Sequence, residues 1–73
     1  MDDFTQRVLE LFRELNQETL DLHTLFEAGG NDPRSREQVI DVVHQLVSEG
    51  FLQERGSDFY SLTPKGHAAV NNR

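Results

Sequence analysis

The sequence predicts a mainly helical domain with one small β-hairpin, and three observations lead to this fold class. Residues 4–15 repeat apolar side chains with the period of an α-helix. Residues 35–50 form another helical pattern, which stops at Gly50. Residues 51–62 then alternate in polarity around the short turn Gly56-Ser57-Asp58, as the two strands of a hairpin do. A chain of 73 residues is long enough for one such domain with a single small core.

The first helix is predicted over residues 4–16, with apolar side chains on one face and charged ones opposite. The apolar face consists of Phe4, Val8, Leu11, Phe12 and Leu15. Leu9 lies beside this stripe in the helical pattern. Asp2 and Asp3 stand at the start of the helix, where negative charge is favourable because the N-terminal end of the helix dipole is positive.

A short second helix is predicted over residues 21–28, after an extended segment from Thr19 to Leu22. The apolar residues of this region are Leu20, Leu22, Leu25 and Phe26. Gly29-Gly30-Asn31 ends the helix, because glycine and asparagine adopt the positive φ that a helix stop commonly needs.

The third helix is predicted over residues 33–49, and its start has two alternatives. Asp32 can cap the helix, with Pro33 as the first helical residue. Alternatively, Ser35 caps it and Gln38, three residues later, completes a capping box. The apolar positions of this helix are Val39, Val43, Leu46 and Val47, with Val42 beside them.

The hairpin strands are predicted at residues 51–55 and 59–63, and the buried face holds Leu52, Tyr60 and Leu62. Thr63-Pro64 resembles a helix cap followed by proline at the first helical position, so a helical turn is predicted over residues 64–70. Residues 1–73 contain no linker, repeat or low-complexity segment, which indicates a single domain.

Composition argues against several classes of protein. The chain has no cysteine, so it has neither a disulfide framework nor a thiolate metal site. Its apolar runs are shorter than the ~18 residues that a membrane-spanning helix needs. Met1-Asp2-Asp3 lacks the basic and then apolar segments of a signal peptide. We therefore expect a cytoplasmic protein with no membrane partner.

The sequence contains no pattern typical of an enzyme or a metal site. His23, His44 and His67 lie far apart, and no two of them have the i, i+4 spacing of a helical zinc site. The serines lie in no nucleophile motif. Gly29-Gly30 is not followed by the Gly-Lys-Ser/Thr of a phosphate-binding loop. We expect no catalytic activity, no metal and no cofactor.

The order of elements in the second half resembles the winged helix-turn-helix domain, most closely that of MarR- and PadR-type transcription regulators. The likeness covers about residues 5–68. The segments that carry it are Val42-Val43, the step from Leu46 through Gly50 to Leu52, and Tyr60-Ser61-Leu62-Thr63-Pro64-Lys65-Gly66. The resemblance implies a three-helix core plus a wing at residues 55–59, with the third helix as the recognition helix in a DNA groove.

By this resemblance, we expect a small DNA-binding transcription regulator that binds double-stranded DNA weakly as a monomer and better as a homodimer. The residues expected to contact DNA are Arg34, Arg36, Gln38, Gln45, Arg55 and Lys65. Arginine suits guanine edges and phosphates, and glutamine suits adenine edges.

The distribution of charge conflicts with DNA binding and keeps an alternative open. The net charge is −6, from seven Lys and Arg against thirteen Asp and Glu, whereas cations give a protein its affinity for DNA. Residues 1–32 hold two arginines and eight carboxylates, a balance of −6, and residues 33–73 hold five cations and five carboxylates. Glu37 and Asp41 also fall on the expected DNA-facing side of the third helix.

The alternative is a protein–protein interaction or dimerisation module on the same scaffold, which does not bind DNA. Ile40 and Val47 occupy positions that are usually polar in the resembling families, and Phe59 falls on the outer side of the hairpin. A contiguous patch of these three residues would mark a partner site.

Overall fold

The computed structural model describes residues 3–30 and 32–71, which form four helices and three strands. In chain order these are α1 (Asp3–Glu14), β1 (Thr19–Asp21), α2 (Leu22–Gly29), α3 (Pro33–Ser48), β2 (Leu52–Glu54), β3 (Phe59–Leu62) and α4 (Pro64–Asn71). The described residues thus form a mostly helical domain with a small antiparallel sheet, which agrees with the fold class predicted from the sequence. The sequence-based expectations for Asp2 and Asn31 concern residues outside this part.

The sheet has three strands in the order β1–β3–β2, with both outer strands antiparallel to β3. In this register, Tyr60 stands opposite Leu20 on one side and Glu54 on the other. The extended segment predicted from Thr19 to Leu22 is therefore the third strand of the sheet. The sequence predicts a pair only for the hairpin strands, because a three-residue strand carries no periodicity that reveals its partner.

The core lies between the helices and the inner face of the sheet. Its largest fully buried side chains are Phe12, Leu9, Leu25, Leu46 and Leu52. Leu52, Tyr60 and Leu62 are all buried, which confirms the predicted inner face of the hairpin. Side chains alternate along a strand, so Phe59 lies on the outer face, where 49% of it is exposed.

One prediction about α1 is wrong. Leu15 is expected in the core, but 45% of it is exposed, because α1 ends at Glu14 and the chain turns through Asn16 with a φ of 54°. Leu9, which lies beside the apolar stripe in the helical pattern, is also buried, with an exposed fraction of 0%. The reason is that α1 packs against α2, α3 and α4 together, so a wider arc of the helix is covered than a single apolar stripe provides.

Of the two helix caps predicted for α3, the structure contains the one formed by Asp32. The Asp32 carboxylate accepts hydrogen bonds from the backbone N–H groups of Arg34 at 3.1 Å and Ser35 at 3.0 Å, and Pro33 is the first helical residue. The Ser35 hydroxyl donates to the same carboxylate at 2.9 Å. Ser35 therefore assists the cap and does not form it.

The start of α4 is fixed to the turn that follows α3. Thr63 Oγ1 accepts a hydrogen bond from the Gly66 N–H at 3.0 Å and donates to the carbonyl oxygen of Gly50. A Cβ atom on Gly66 would lie 2.2 Å from the carbonyl oxygen of Phe51. Glycine at this position thus permits the close approach of α4 to the segment that leads into the hairpin.

Replacing Gly66 with alanine tests this packing. We expect Gly66→Ala to destabilise the protein by about 2 kcal/mol or more, because the added methyl group overpacks a backbone contact. Urea unfolding followed by far-UV circular dichroism measures the change. Ala68→Gly, at an exposed position of the same helix, should cost no more than the ~1 kcal/mol of lost helix propensity. An unchanged or raised unfolding midpoint in Gly66→Ala would contradict the described approach of α4.

The Asp32 cap predicts a specific dependence of stability on pH. Hydrogen bonds from Ser35 and Arg34 lower the pKa of Asp32 below its ordinary value of 3.8. The carboxylate therefore stabilises the fold above pH 3.8, and this contribution is lost as pH falls towards the lowered pKa.

We expect Asp32→Ala to lower the urea midpoint at neutral pH, and the difference from the wild type to shrink in acid. Asp41→Ala removes an exposed carboxylate from the middle of the same helix and is the matched control. If the urea midpoints of Asp32→Ala and the wild type differ by the same amount from neutral pH to below pH 3.8, the charged cap is not the cause of the lower stability.

Candidate interaction surface

The outward face of α3 carries carboxylates in its first half. Val39, Val43 and Leu46 point into the core. At about 100° per residue, the side of the helix directly opposite them holds the exposed residues Arg34, Glu37, Asp41, His44 and Ser48. We call Glu37, Asp41, His44 and Ser48 the α3 ridge. The outward side of the helix therefore begins with one arginine and is then acidic and polar.

The two arginines at the start of α3 lie on different sides of the helix. They are two residues apart, which is about 200° around its axis. Arg34 lies seven residues before Asp41, so it shares the outward side with the ridge, at the N-terminal end. The Arg36 guanidinium lies 5.3 Å from the centre of the Phe26 ring, on the side of α2. Gln38, which follows Arg34 by one helical turn, lines a shallow groove with Asp3 and is on the side of α1. Arg34 and Arg36 thus do not form one cationic surface.

Lys65 and Gln45 lie near the far end of α3. Lys65 Nζ donates to the carbonyl oxygen of Glu49 at 2.7 Å and lies 4.6 Å from the centre of the Phe51 ring. Gln45 Nε2 donates to the Glu49 carboxylate at 3.1 Å. Fifteen residues of helical chain separate Glu49 from Arg34, about 22 Å along the axis. Lys65 and Gln45 therefore both form hydrogen bonds to Glu49, at the opposite end of α3 from the arginines.

Arg55 lies on the outer face of the hairpin. Its N–H donates to the carbonyl oxygen of Phe59 at 2.7 Å, which continues the pairing of β2 with β3 by one residue. Because Glu54 shares the inner face with Tyr60, Arg55 shares the outer face with Phe59. The six residues expected to contact DNA are thus distributed over several surfaces of the domain.

A groove runs between α3 and the inner face of the hairpin. Its volume is about 200 Å³, and it is lined by His44, Val47, Ser48, Glu54 and Tyr60. We call it the α3–hairpin groove. Val47 packs against the core and contributes an apolar wall. Glu54 is exposed, stands opposite Tyr60 in the sheet and contributes the carboxylate.

Two carboxylates act on the phenol of Tyr60, which lines the groove. Burial raises the pKa of the Tyr60 phenol above its ordinary value of 10.0, and the nearby charges of Glu54 and Asp58 raise it further. Asp58 sits in the turn of the hairpin with a φ of 63°, and its carbonyl oxygen accepts the Leu22 N–H at 2.7 Å. The turn is thereby held against the start of α2.

Ile40, Val47 and Phe59 do not form one patch. Val47 borders the groove on the inner side of the hairpin, whereas Phe59 lies on the outer side. Ile40 is half-buried.

The groove is not predicted from the sequence, where Tyr60 is assigned only to the buried face of the hairpin. The alternation from buried Leu52 to Glu54 was the signal that places the Glu54 carboxylate towards α3.

In the described part of the chain, two of the three histidines each lie close to one glutamate. His67 Nε2 lies 3.4 Å from Glu18 Oε1, and His23 Nε2 lies 3.7 Å from Glu27 Oε2. Among residues 3–30 and 32–71, no three histidine or carboxylate side chains come close enough together to hold a metal ion. Over the same residues, no helix combines the length and the apolar character needed to cross a bilayer.

Comparison with protein-family models, curated proteins and solved structures finds no match to this chain. The surface is therefore interpreted from its own chemistry, because a fold by itself does not determine a function.

The environment of Tyr60 predicts a titration that absorbance can follow, since Tyr60 is the one tyrosine in the sequence. We expect its ionisation midpoint above pH 10.0, and a lower midpoint in Glu54→Gln, because a negative charge near the phenolate is removed. Glu14→Gln, on α1, should leave the midpoint unchanged. Because the pKa is raised in the folded state, stability should fall as pH rises above 10.0. A midpoint that does not move in Glu54→Gln would contradict the described position of this carboxylate.

Proposed function

We propose that this chain is a winged helix domain that binds a cationic segment of another protein through the α3 ridge. The order of α1, α2 and α3 followed by a hairpin supports the winged helix assignment, because it agrees with the three-helix core plus wing of that fold. The position of Glu37 and Asp41 supports a protein partner over DNA.

The acidic ridge is the observation that carries the proposal. A helix that enters a DNA groove approaches two rows of phosphates, so carboxylates on its most protruding side are repelled. Glu37 and Asp41 hold that position here, and both are exposed. Lysine or arginine side chains on a partner protein complement the same surface and increase the rate of association.

The start of α3 supports the same conclusion. A free helix N-terminus is a common site for a phosphate, because its first N–H groups have no partner within the helix. In this chain, the N–H groups of Arg34 and Ser35 already donate to the carboxylate of Asp32. A phosphate at this position would have to displace an anion that belongs to the protein.

DNA binding is the second candidate function, and the exposed side chain of Arg34 beside the start of α3 favours it. Arg36 and Arg55 are also exposed, although on other surfaces. A duplex bound through these arginines would be weakened by Glu37 and Asp41. The two candidates therefore predict opposite effects when these carboxylates are neutralised.

Binding of a hexa-arginine peptide amide and of a short DNA duplex, each fluorescently labelled, separates the candidates. At ~50 mM salt, where contacts with charged partners are strongest, we expect the peptide to bind and the duplex not to bind. Glu37→Gln and Asp41→Asn should each weaken peptide binding by about two- to fivefold, as the loss of an exposed ion pair does.

Glu14→Gln is the matched control, because it removes an exposed carboxylate from α1 and leaves the ridge intact. Duplex binding that becomes tighter in Glu37→Gln and Asp41→Asn and is lost in Arg34→Ala would establish the DNA-binding candidate instead. Peptide binding that weakens equally in Glu14→Gln would show that net charge, and not the ridge, attracts the peptide.

A further inference from the structure

We infer that the α3–hairpin groove binds one arginine side chain of the partner protein. This inference rests on the proposed function and adds a specific pocket to it. The groove adjoins the α3 ridge, because His44 and Ser48 belong to both. A basic segment that follows the ridge towards the end of α3 therefore reaches the groove.

The lining of the groove matches the two parts of an arginine side chain. Val47 and the buried Tyr60 provide apolar contact for the methylene stem. The Glu54 carboxylate provides an acceptor for the guanidinium group at the exposed end. Arginine is favoured over lysine, because its planar guanidinium can donate two parallel hydrogen bonds to one carboxylate.

Charge complementarity determines the class of occupant. Glu54 lines the groove, and Glu54 and Asp58 both raise the pKa of the Tyr60 phenol, so the charge next to this lining residue is negative. The cation next in sequence, Arg55, belongs to the outer face of the hairpin and is not part of the lining. The five lining residues include no lysine or arginine. A cation from another molecule therefore meets uncompensated negative charge.

Tyr60 supplies a direct readout of occupancy. The chain contains one tyrosine and no tryptophan, so its intrinsic tyrosine fluorescence comes from the groove. Nα-acetylarginine amide is a suitable probe, and Nα-acetylcitrulline amide is its neutral control of nearly the same shape. Backbone amide shifts in the NMR spectrum locate the binding site independently.

We expect a saturable change in tyrosine fluorescence with the arginine probe, together with amide shifts centred on His44, Val47 and Glu54. The citrulline probe should produce neither. Glu54→Gln should weaken arginine binding about tenfold, because the charge-assisted pair is lost. Glu14→Gln should bind like the wild type. Glu54 is exposed, so the substitution is compatible with folding, and far-UV circular dichroism verifies this.

The outcomes for the groove and for the proposed function are distinguishable. The inference that the groove binds arginine is overturned if Glu54→Gln and the wild type bind the arginine probe equally. It is also overturned if the wild type binds both probes equally. Hexa-arginine binding that still depends on Glu37 and Asp41 would then leave the proposed function standing. Absence of hexa-arginine binding overturns the proposed function, whatever the small probe does.

Discussion

The pairing register of β2 with β3 is the constraint on which the rest of the domain depends. It places Glu54 opposite Tyr60 and Leu52 opposite Leu62, so that three apolar side chains face the core and one carboxylate borders α3. A shift by one residue would reverse every side chain of β2 between the two faces. The hydrogen bonds between β2 and β3 therefore determine both which side chains of the hairpin are buried and which charge lies beside α3.

The distribution of charge around α3 follows from its helical period. Because Arg34 and Arg36 are two residues apart, they fall on different sides of the helix, and Arg34 shares the outward side with Glu37 and Asp41. The remaining cations of this region are used within the domain or directed elsewhere. Lys65 holds the end of α3 through the Glu49 carbonyl oxygen, and Arg55 belongs to the outer face of the hairpin. The cations of residues 33–73 thus do not combine into one positive surface.

Local patterns in the sequence predict the helices and the hairpin well, because each has a period, a cap and a stop of its own. Asp32-Pro33 and Thr63-Pro64 are examples, and both mark the helix starts that the structure contains. What the sequence does not reveal depends on several elements at once. Leu9 is buried because three helices surround α1, and β1 finds its partner forty residues later in the chain. The α3–hairpin groove also depends on several elements, because it exists only once α3 and the sheet have packed together.

The position of Glu54 relative to α3 tests this account most directly, and nuclear Overhauser effects measure it in solution. We expect side-chain contacts from Glu54 to the Tyr60 ring and to the residues of α3 that line the groove, with Arg55 contacting Phe59 on the other face. Contacts from Arg55 to Val47 or Tyr60, with Glu54 turned towards solvent on the outer face, would contradict it. The groove would then carry a cation of its own, and the basis for an arginine-bearing partner at that position would be lost.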